Sequence, residues 1–229
     1  MKYEKTLQAA IIAVGLLMLG LCIKGGFDNF TNKDRRVTVK GLAEKVVDAD
    51  KVTWTMSVSA SGDNLQTIFS GLNEQIAAIQ QFLKENKVGS KATITVGSFN
   101  VTDNDDNVWS ERRPLYRYSV NRGLTVTCND TKFISEVMKQ GDALISRGII
   151  LNANYANYEY TKFQQLKPEM MRDAIAAAEK TAQQFAENSH STINKIVEAG
   201  QGEFSIDDAD IPYQKKVRVV STITYSLKD

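Results

Sequence analysis

Asp103, Asp105 and Asn107 share the alternate-residue spacing that opens a calcium-binding EF-hand loop. Such a loop needs a glycine for its sharp turn and a bidentate glutamate to close it. Val108 and Pro114 stand at those places, so the stretch is expected to be a solvated hairpin loop. Asp207, Asp208 and Asp210 crowd three carboxylates into four residues, and they too are expected to form a wet loop. His190, the single histidine, lies between Ser189 and Ser191. A nucleophilic triad needs serine, histidine and carboxylate meeting in space rather than adjacent in sequence, and a histidine near a helix C-terminus has a structural use there.

Cysteine chemistry is equally constrained. Of the two cysteines, Cys22 sits in an apolar N-terminal run and Cys128 continues the apolar phase of a strand. The body therefore holds one thiol, which excludes a disulfide within it and a multi-thiolate zinc site. Cys128 is expected to be a small core residue. No phosphate-binding glycine loop, dinucleotide fingerprint or nucleophile elbow is present. An enzyme would have to work with carboxylates alone, for example a pair including Asp50 or Asp142. The chain is expected not to be an enzyme, with no catalytic residue, no cofactor and no metal assigned.

One stretch combines charge and aromaticity. Arg112, Arg113, Arg117 and Arg122 interleave with Tyr116 and Tyr118, and Tyr155, Tyr158 and Tyr160 follow on a later strand. Arginine and tyrosine together can stack bases or sugars, and both are enriched at subunit interfaces. Cross-strand tyrosine pairing in the core accounts for most of the pattern. The candidate interface or ligand surface is Arg112, Arg113, Tyr116, Arg117, Tyr118, Arg122, Tyr158 and Tyr160. With 28 Lys and Arg against 27 Asp and Glu, the net charge of +1 gives no field to steer nucleic acid, which is not expected as a partner.

The elements that must position these residues follow from hydrophobic periodicity. Arg36 to Gly41 is a first strand. Val52, Trp54, Met56, Val58 and Ala60 alternate with Thr53, Thr55, Ser57 and Ser59, a strand with one wet face. Asp63 with Gln66 resembles a capping box, opening a helix that runs to about Asn86. Its Leu65, Phe69, Leu72, Ile76, Ile79 and Leu83 form a seam, widened by Ile68 and Phe82, that is expected to pack on the chain's own sheet. Ala92 to Val101 is a strand whose phase flips between Val96 and Phe99, which a bulge near Gly97 would reconcile. A long strand runs from Tyr116 to Cys128.

Asp130 caps a helix bearing Phe133, Val137, Leu144 and Ile145, and Gly148 stops it. Ile149 to Tyr160 is a strand with a phase change near Ala156. Strand, helix, strand, strand, helix, strand is the split-βαβ order. Pro168 is expected at the first position of a third, alanine-rich helix with Met171, Ala174, Ile175, Ala178, Ala182, Phe185 and Ala186 on one stripe. Ile193 to Val197 and Val217 to Leu227 are closing strands, joined by a polar connection from Ser205 to Pro212.

Before this body, Leu7 to Ile23 is an apolar run that includes Leu7, Ile11, Ile12, Val14, Leu16, Leu17, Leu19 and Leu21. As a helix it spans about 25 Å, slightly under the hydrocarbon thickness of a bilayer. It exceeds the usual signal-peptide core and has no polar face. An uncleaved anchor is the expected reading, with a cleaved signal peptide or a lipid-bearing Cys22 as alternatives. The basic residues before the run place the body on the far side of the membrane. The organisation is then 1–27 anchor or signal, 28–35 tether and 36–229 body. The fold class is α+β: an antiparallel sheet with a βαββαβ-like core, an additional alanine-rich helix and C-terminal strands, preceded by an N-terminal membrane helix.

Short motifs scattered from Val37 to Leu227 resemble the SIMPL family. They are Val39 and Gly41, Ala49-Asp50, Asn73-Glu74, Pro114-Leu115-Tyr116 before Tyr118, and Asp142 leading toward Gly148. Ala174, Ala177-Ala178, Lys180-Thr181-Ala182 and Phe185-Ala186 match the family's alanine-rich helix. Ala49 stands where relatives often have proline, and Asn188-Ser189-His190 where a glycine commonly follows the helix. The resemblance implies an α+β fold, a bacterial envelope address, ring-like homo-oligomers in some relatives and a role in envelope maintenance or stress. It carries no catalytic residues. The expected function is thus a non-enzymatic exported envelope protein that self-assembles, in the periplasm and tied to the inner membrane, or free there if cleaved. The alternative is a periplasmic or surface module binding a small molecule or glycan at the Tyr/Arg surface.

Overall fold

The computed structural model of the chain describes residues 13–24, 35–106 and 115–228. Residues 13–24 form helix α1. Val14, Leu16, Leu17, Leu19 and Leu21 lie on it, all exposed. Leu7, Ile11 and Ile12 lie outside the described residues, as do 28–34 of the expected tether. At 1.5 Å per residue the described part of α1 is about 18 Å long. No helix among the described residues is long and apolar enough to cross a membrane.

The rest of the chain is α+β with antiparallel sheets. The elements are β1 (Arg36–Asp48), β2 (Lys51–Gly62), α2 (Leu65–Glu85), β3 (Ala92–Asp103), β4 (Tyr118–Cys128), α3 (Thr131–Lys139), α4 (Asp142–Ser146), β5 (Ala153–Glu159), α5 (Phe163–Asn188), β6 (Thr192–Gly200), β7 (Phe204–Asp208) and β8 (Gln214–Lys228). The expected single body comprises two compact units. One is Lys45–Leu166 with Ile206–Val217, and the other is Met1–Glu44, Lys167–Ser205 and Arg218–Asp229.

The first, the split-βαβ unit, carries a sheet in the order β3-β4-β2-β5. Each neighbouring pair is antiparallel. Alternation decides its faces: Val52, Trp54, Met56 and Val58 of β2 are all fully buried. Leu124 and Val126 of β4 join them from the neighbouring strand, and Ile68, Leu72, Ile76, Ile79, Phe82 and Leu83 of α2 cover the layer. The seam legible in the sequence is therefore the buried face of α2. Asn64, not Asp63, caps this helix, its Oδ1 accepting the N–H groups of Gln66 (2.9 Å) and Thr67 (3.3 Å). Asp63 instead accepts the N–H of Arg117 at 2.9 Å.

The register of β3 on β4 shifts between Val96 and Phe99, around Gly97. That is the bulge the phase flip requires. Asp130 caps α3 by accepting the Phe133 N–H at 3.1 Å. The single helix expected after it breaks at Gln140 and Gly141, where three-residue turns replace the four-residue ladder. Gly148 ends α4 at φ +75°, a left-handed conformation that glycine adopts freely. The expected strand from Ile149 begins only at Ala153, and its register on β2 is regular through Ala156, so there is no phase change.

The second, the alanine-helix unit, holds the sheet order β1-β8-β6, with β7 also paired to β8. Ala174, Ala178 and Ala182 of α5 are fully buried. A Cβ on Gly41 of β1 would stand 1.9 Å from the Ala174 carbonyl oxygen and 2.5 Å from the Ala178 nitrogen. Backbone thus meets backbone, and only small residues allow it. Around this seam Val39, Ile223 and Tyr225 complete the core.

Three expectations need correcting here. Pro168 lies inside α5 rather than at its first position. Because it is still near the helix start, its missing N–H forfeits one ladder bond, to the Gln164 carbonyl. Ser205 to Asp208, expected within a polar connection, belongs to strand β7. Finally β1 runs on to Asp48, well past Gly41.

Candidate functional site

Tyr118 of β4 points toward the helices and packs against the core of the split-βαβ unit. Beside it Arg117 lies with its guanidinium 4.9 Å from the Tyr118 ring. Its Nη2 and Nε donate to Asp103 Oδ2 at 3.0 and 3.1 Å. Asp105 Oδ2 is 3.8 Å from the same Nε. The guanidinium bond holds the Asp103 carboxyl below the usual carboxylate range. Asp103 and Asp105 are thus paired with Arg117 at the surface. Tyr116 is exposed, and its carbonyl accepts from Asn104 Nδ2 at 2.9 Å.

Arg122 is in another setting. It shares the helix-facing phase of β4, stacks 4.3 Å from the Phe99 ring and bonds to Asn73 Oδ1 on α2. Its Nε donates to the Gly97 carbonyl at 3.2 Å. Arg122 thus satisfies a carbonyl at the bulge and ties β3 to α2. Tyr158 is only 8% exposed, with its hydroxyl donating to Met138 Sδ at 3.9 Å. Tyr160 is half-buried just beyond β5, and Tyr155 is exposed on the face opposite Tyr158. Arg112 and Arg113 lie outside the described residues, as do Asn107, Val108 and Pro114. The structure brings together Tyr116, Arg117 and Tyr118, but leaves Arg122 and Tyr158 apart from them.

The other candidates have structural partners. His190 follows α5 at φ +54°, in the left-handed position where glycine is usual, while the Ser191 N–H donates to the Ala186 carbonyl at 2.8 Å. Cys128 is buried, its Sγ accepting the Asp130 N–H at 3.3 Å. Asp208 pairs with Lys215. Asp50 accepts the Thr161 N–H through Oδ1 at 2.8 Å, and its buried Oδ2 has no partner. Asp142 lies in the first turn of α4. Among the described residues no group of three or more His, Cys, Asp or Glu side chains could hold a metal ion.

A neutral cleft was not foreseen from the sequence. On the sheet face away from α2, Ser59 pairs with Asn121 and Asn121 with Asn100; one step along, Ser61 pairs with Ser119 and Ser119 with Thr102. With Asn152 these side chains line a shallow cavity of about 290 Å³. Ser61 and Ser119 share a hydrogen bond of 3.1 Å, and Asn104 Nδ2 donates to Ser119 at 3.0 Å. Hydroxyls and amides offer both donors and acceptors without charge, which suits a neutral polyhydroxylated ligand. The signal was the polar phase of each strand, but their alignment depends on register.

Against known proteins, the SIMPL family, described as a protein of unknown function (DUF541), matches residues 37–225. This chain belongs to the SIMPL family. No curated protein matches it. The SIMPL match runs from β1 into β8 and takes in residues of both units. Its residues serve construction in this SIMPL protein: Gly41 meets Ala174 and Ala178, Asn73 holds Arg122, and Asp50 accepts the Thr161 N–H.

Proposed function

We propose that this SIMPL protein is a non-enzymatic component of the bacterial cell envelope that assembles with itself. The N-terminal run anchors it in the inner membrane, or directs its export if cleaved, and the body lies in the periplasm, where it serves envelope maintenance or the response to envelope stress. The observation that carries self-assembly is the exposure of large apolar side chains on the split-βαβ unit: Leu115 85%, Ile150 81%, Ile145 66% and Tyr155 59%. Covering such side chains with a partner's surface is favourable by about 25 cal/mol per Å² of apolar area removed from water. Light scattering across a concentration series tests this, on the full chain in detergent and on residues 28–229. A defined multimer is expected, and monomer at every concentration in both forms would overturn the reading.

The neutral cleft favours a second reading, a module that binds a small molecule or glycan. Tyr118 packs on the opposite, helix-covered side of the sheet, so this reading rests on the cleft rather than on the Tyr/Arg set. A native-state ligand raises the melting temperature by mass action. A thermal-shift screen of neutral oligosaccharides is expected to give a saturable rise that Asn121→Ala abolishes; no rise across the panel would exclude this reading.

A further inference from the structure

We propose that the outer edge of β3 receives a second copy of the same strand, antiparallel, so that two split-βαβ sheets join into one. This rests on the self-assembly reading and adds a surface of its own, at the opposite edge of the sheet from Tyr155. The two described sheets end in β3 and β5, and in β1, β6 and the short β7 beside β8. An edge strand presents unpaired N–H and C=O groups, and proteins ordinarily guard it with charge, bulges or shortness. Four of these five edges are guarded, β7 by its five-residue length and its Asp207 and Asp208. β5 is only seven residues long and ends in Glu159. β1 carries Arg36, Lys40, Glu44 and Lys45. β6 carries Lys195 and Glu198, and its pairing is interrupted twice. β3 differs: it is twelve residues long, from Ala92 to Thr102 it has no charge and no proline, and its one guard, the bulge between Val96 and Phe99, leaves Ala92 to Val96 regular.

Burial points the same way. Ile94 and Val96 are half-buried, whereas Val126 and Leu124, their partners on β4, are fully buried. The missing cover is on the outer side. There a groove of about 330 Å³ opens beside Ile94, lined by Gln80, Lys84, Lys87, Gly89 and Ser90. On the opposite face Thr93 and Thr95 stand exposed.

The occupant follows from self-complementarity. A twofold axis normal to a sheet sets residues of equal parity opposite each other and keeps each on its own face. Centred on Ile94, it sets Ile94 against Ile94, Ala92 against Val96 and Thr93 against Thr95. Apolar then meets apolar in the groove, threonine meets threonine on the other face, and no charge on β3 meets its like. The five residues concerned, Ala92 to Val96, precede the bulge, so the ladder between copies is regular.

The register makes the test specific. In the full chain in detergent, Thr93→Lys with Thr95→Lys places lysines opposite each other, and self-association is expected to weaken about tenfold or more. Thr93→Lys with Thr95→Glu places opposite charges there and is expected to restore the wild-type mass. Both positions are exposed, and circular dichroism checks that the fold persists. Independently, Ile94→Cys in a Cys22→Ser background is expected to give a reducible dimer, since facing Cα atoms lie within disulfide reach. If both double variants keep the wild-type mass and Ile94→Cys does not cross-link, the β3 edge is not the interface although assembly stands. A wild-type chain that is always monomeric overturns both.

Discussion

Trp54, Phe82, Met56 and Leu72 fill the gap between sheet and helix in the split-βαβ unit, each almost wholly buried, whereas the alanine-helix unit closes its gap with Ala174, Ala178 and Ala182. Both pack a helix on an antiparallel sheet, by opposite means. In the first, large side chains interdigitate and the backbones stay apart. In the second, Gly41 admits the backbone of α5 into contact with β1. Removing volume should therefore hurt one unit, and adding it should hurt the other.

Gly41→Val is the severest way to break this comparison. Its Cβ would meet backbone atoms, which cannot swing aside, and a loss of about 4 kcal/mol or more is expected in urea unfolding. A loss under about 1 kcal/mol would mean the seam is not tight. Leu72→Ala should cost about 3 kcal/mol by leaving a cavity, while Ala178→Leu should cost about 2 kcal/mol by overpacking. Similar tolerance of both would erase the distinction. Arg122→Ala removes the ring contact and the bond to the Gly97 carbonyl, for about 1.5 kcal/mol, and hydrogen exchange should rise first around the bulge.

Two smaller effects sharpen the comparison by pH. Asp130→Ala should cost about 1 kcal/mol in the split-βαβ unit by losing the cap. The Phe133 N–H, then Lys91, hold the Asp130 carboxyl below its ordinary 3.8. A lowered acid contributes stability above its unfolded value, and that contribution is lost as pH falls through the lower folded one. Acid titration of wild type against the variant measures it. In the alanine-helix unit, burial and then Glu179 raise the Tyr225 hydroxyl above its ordinary 10.0. Its contribution is present below that value and is lost as pH rises through the higher folded one. Tyr225→Phe should flatten the alkaline limb of an unfolding curve.

Much of the fold was legible because period and phase are written within single elements. The alternation of Val52 to Val58 and the seam of Leu72, Ile76, Ile79 and Leu83 are buried as read. The phase flip between Val96 and Phe99 located the bulge. The failures have local causes. Pro168 suggested a helix start because a proline at the first position costs nothing, yet one lost bond near the terminus is also tolerated. β7 is too short and acidic to show a period. The Tyr/Arg set looked continuous along the chain, but Arg122 faces α2 and Tyr158 faces the core.

The sequence by itself determined which faces of β2 and α2 are buried and where Asp130 and Gly148 bound helices. Only the tertiary structure decided that Gly41 lies against Ala174, that Asp103 is held by Arg117, that Ser59, Asn121 and Asn100 share a row, and that β3 rather than β4 is an edge. The reason is physical. Burial and capping depend on neighbours a few residues away, whereas register and backbone approach are set when strands and helices far apart in the chain close on one another, and no local pattern records that choice.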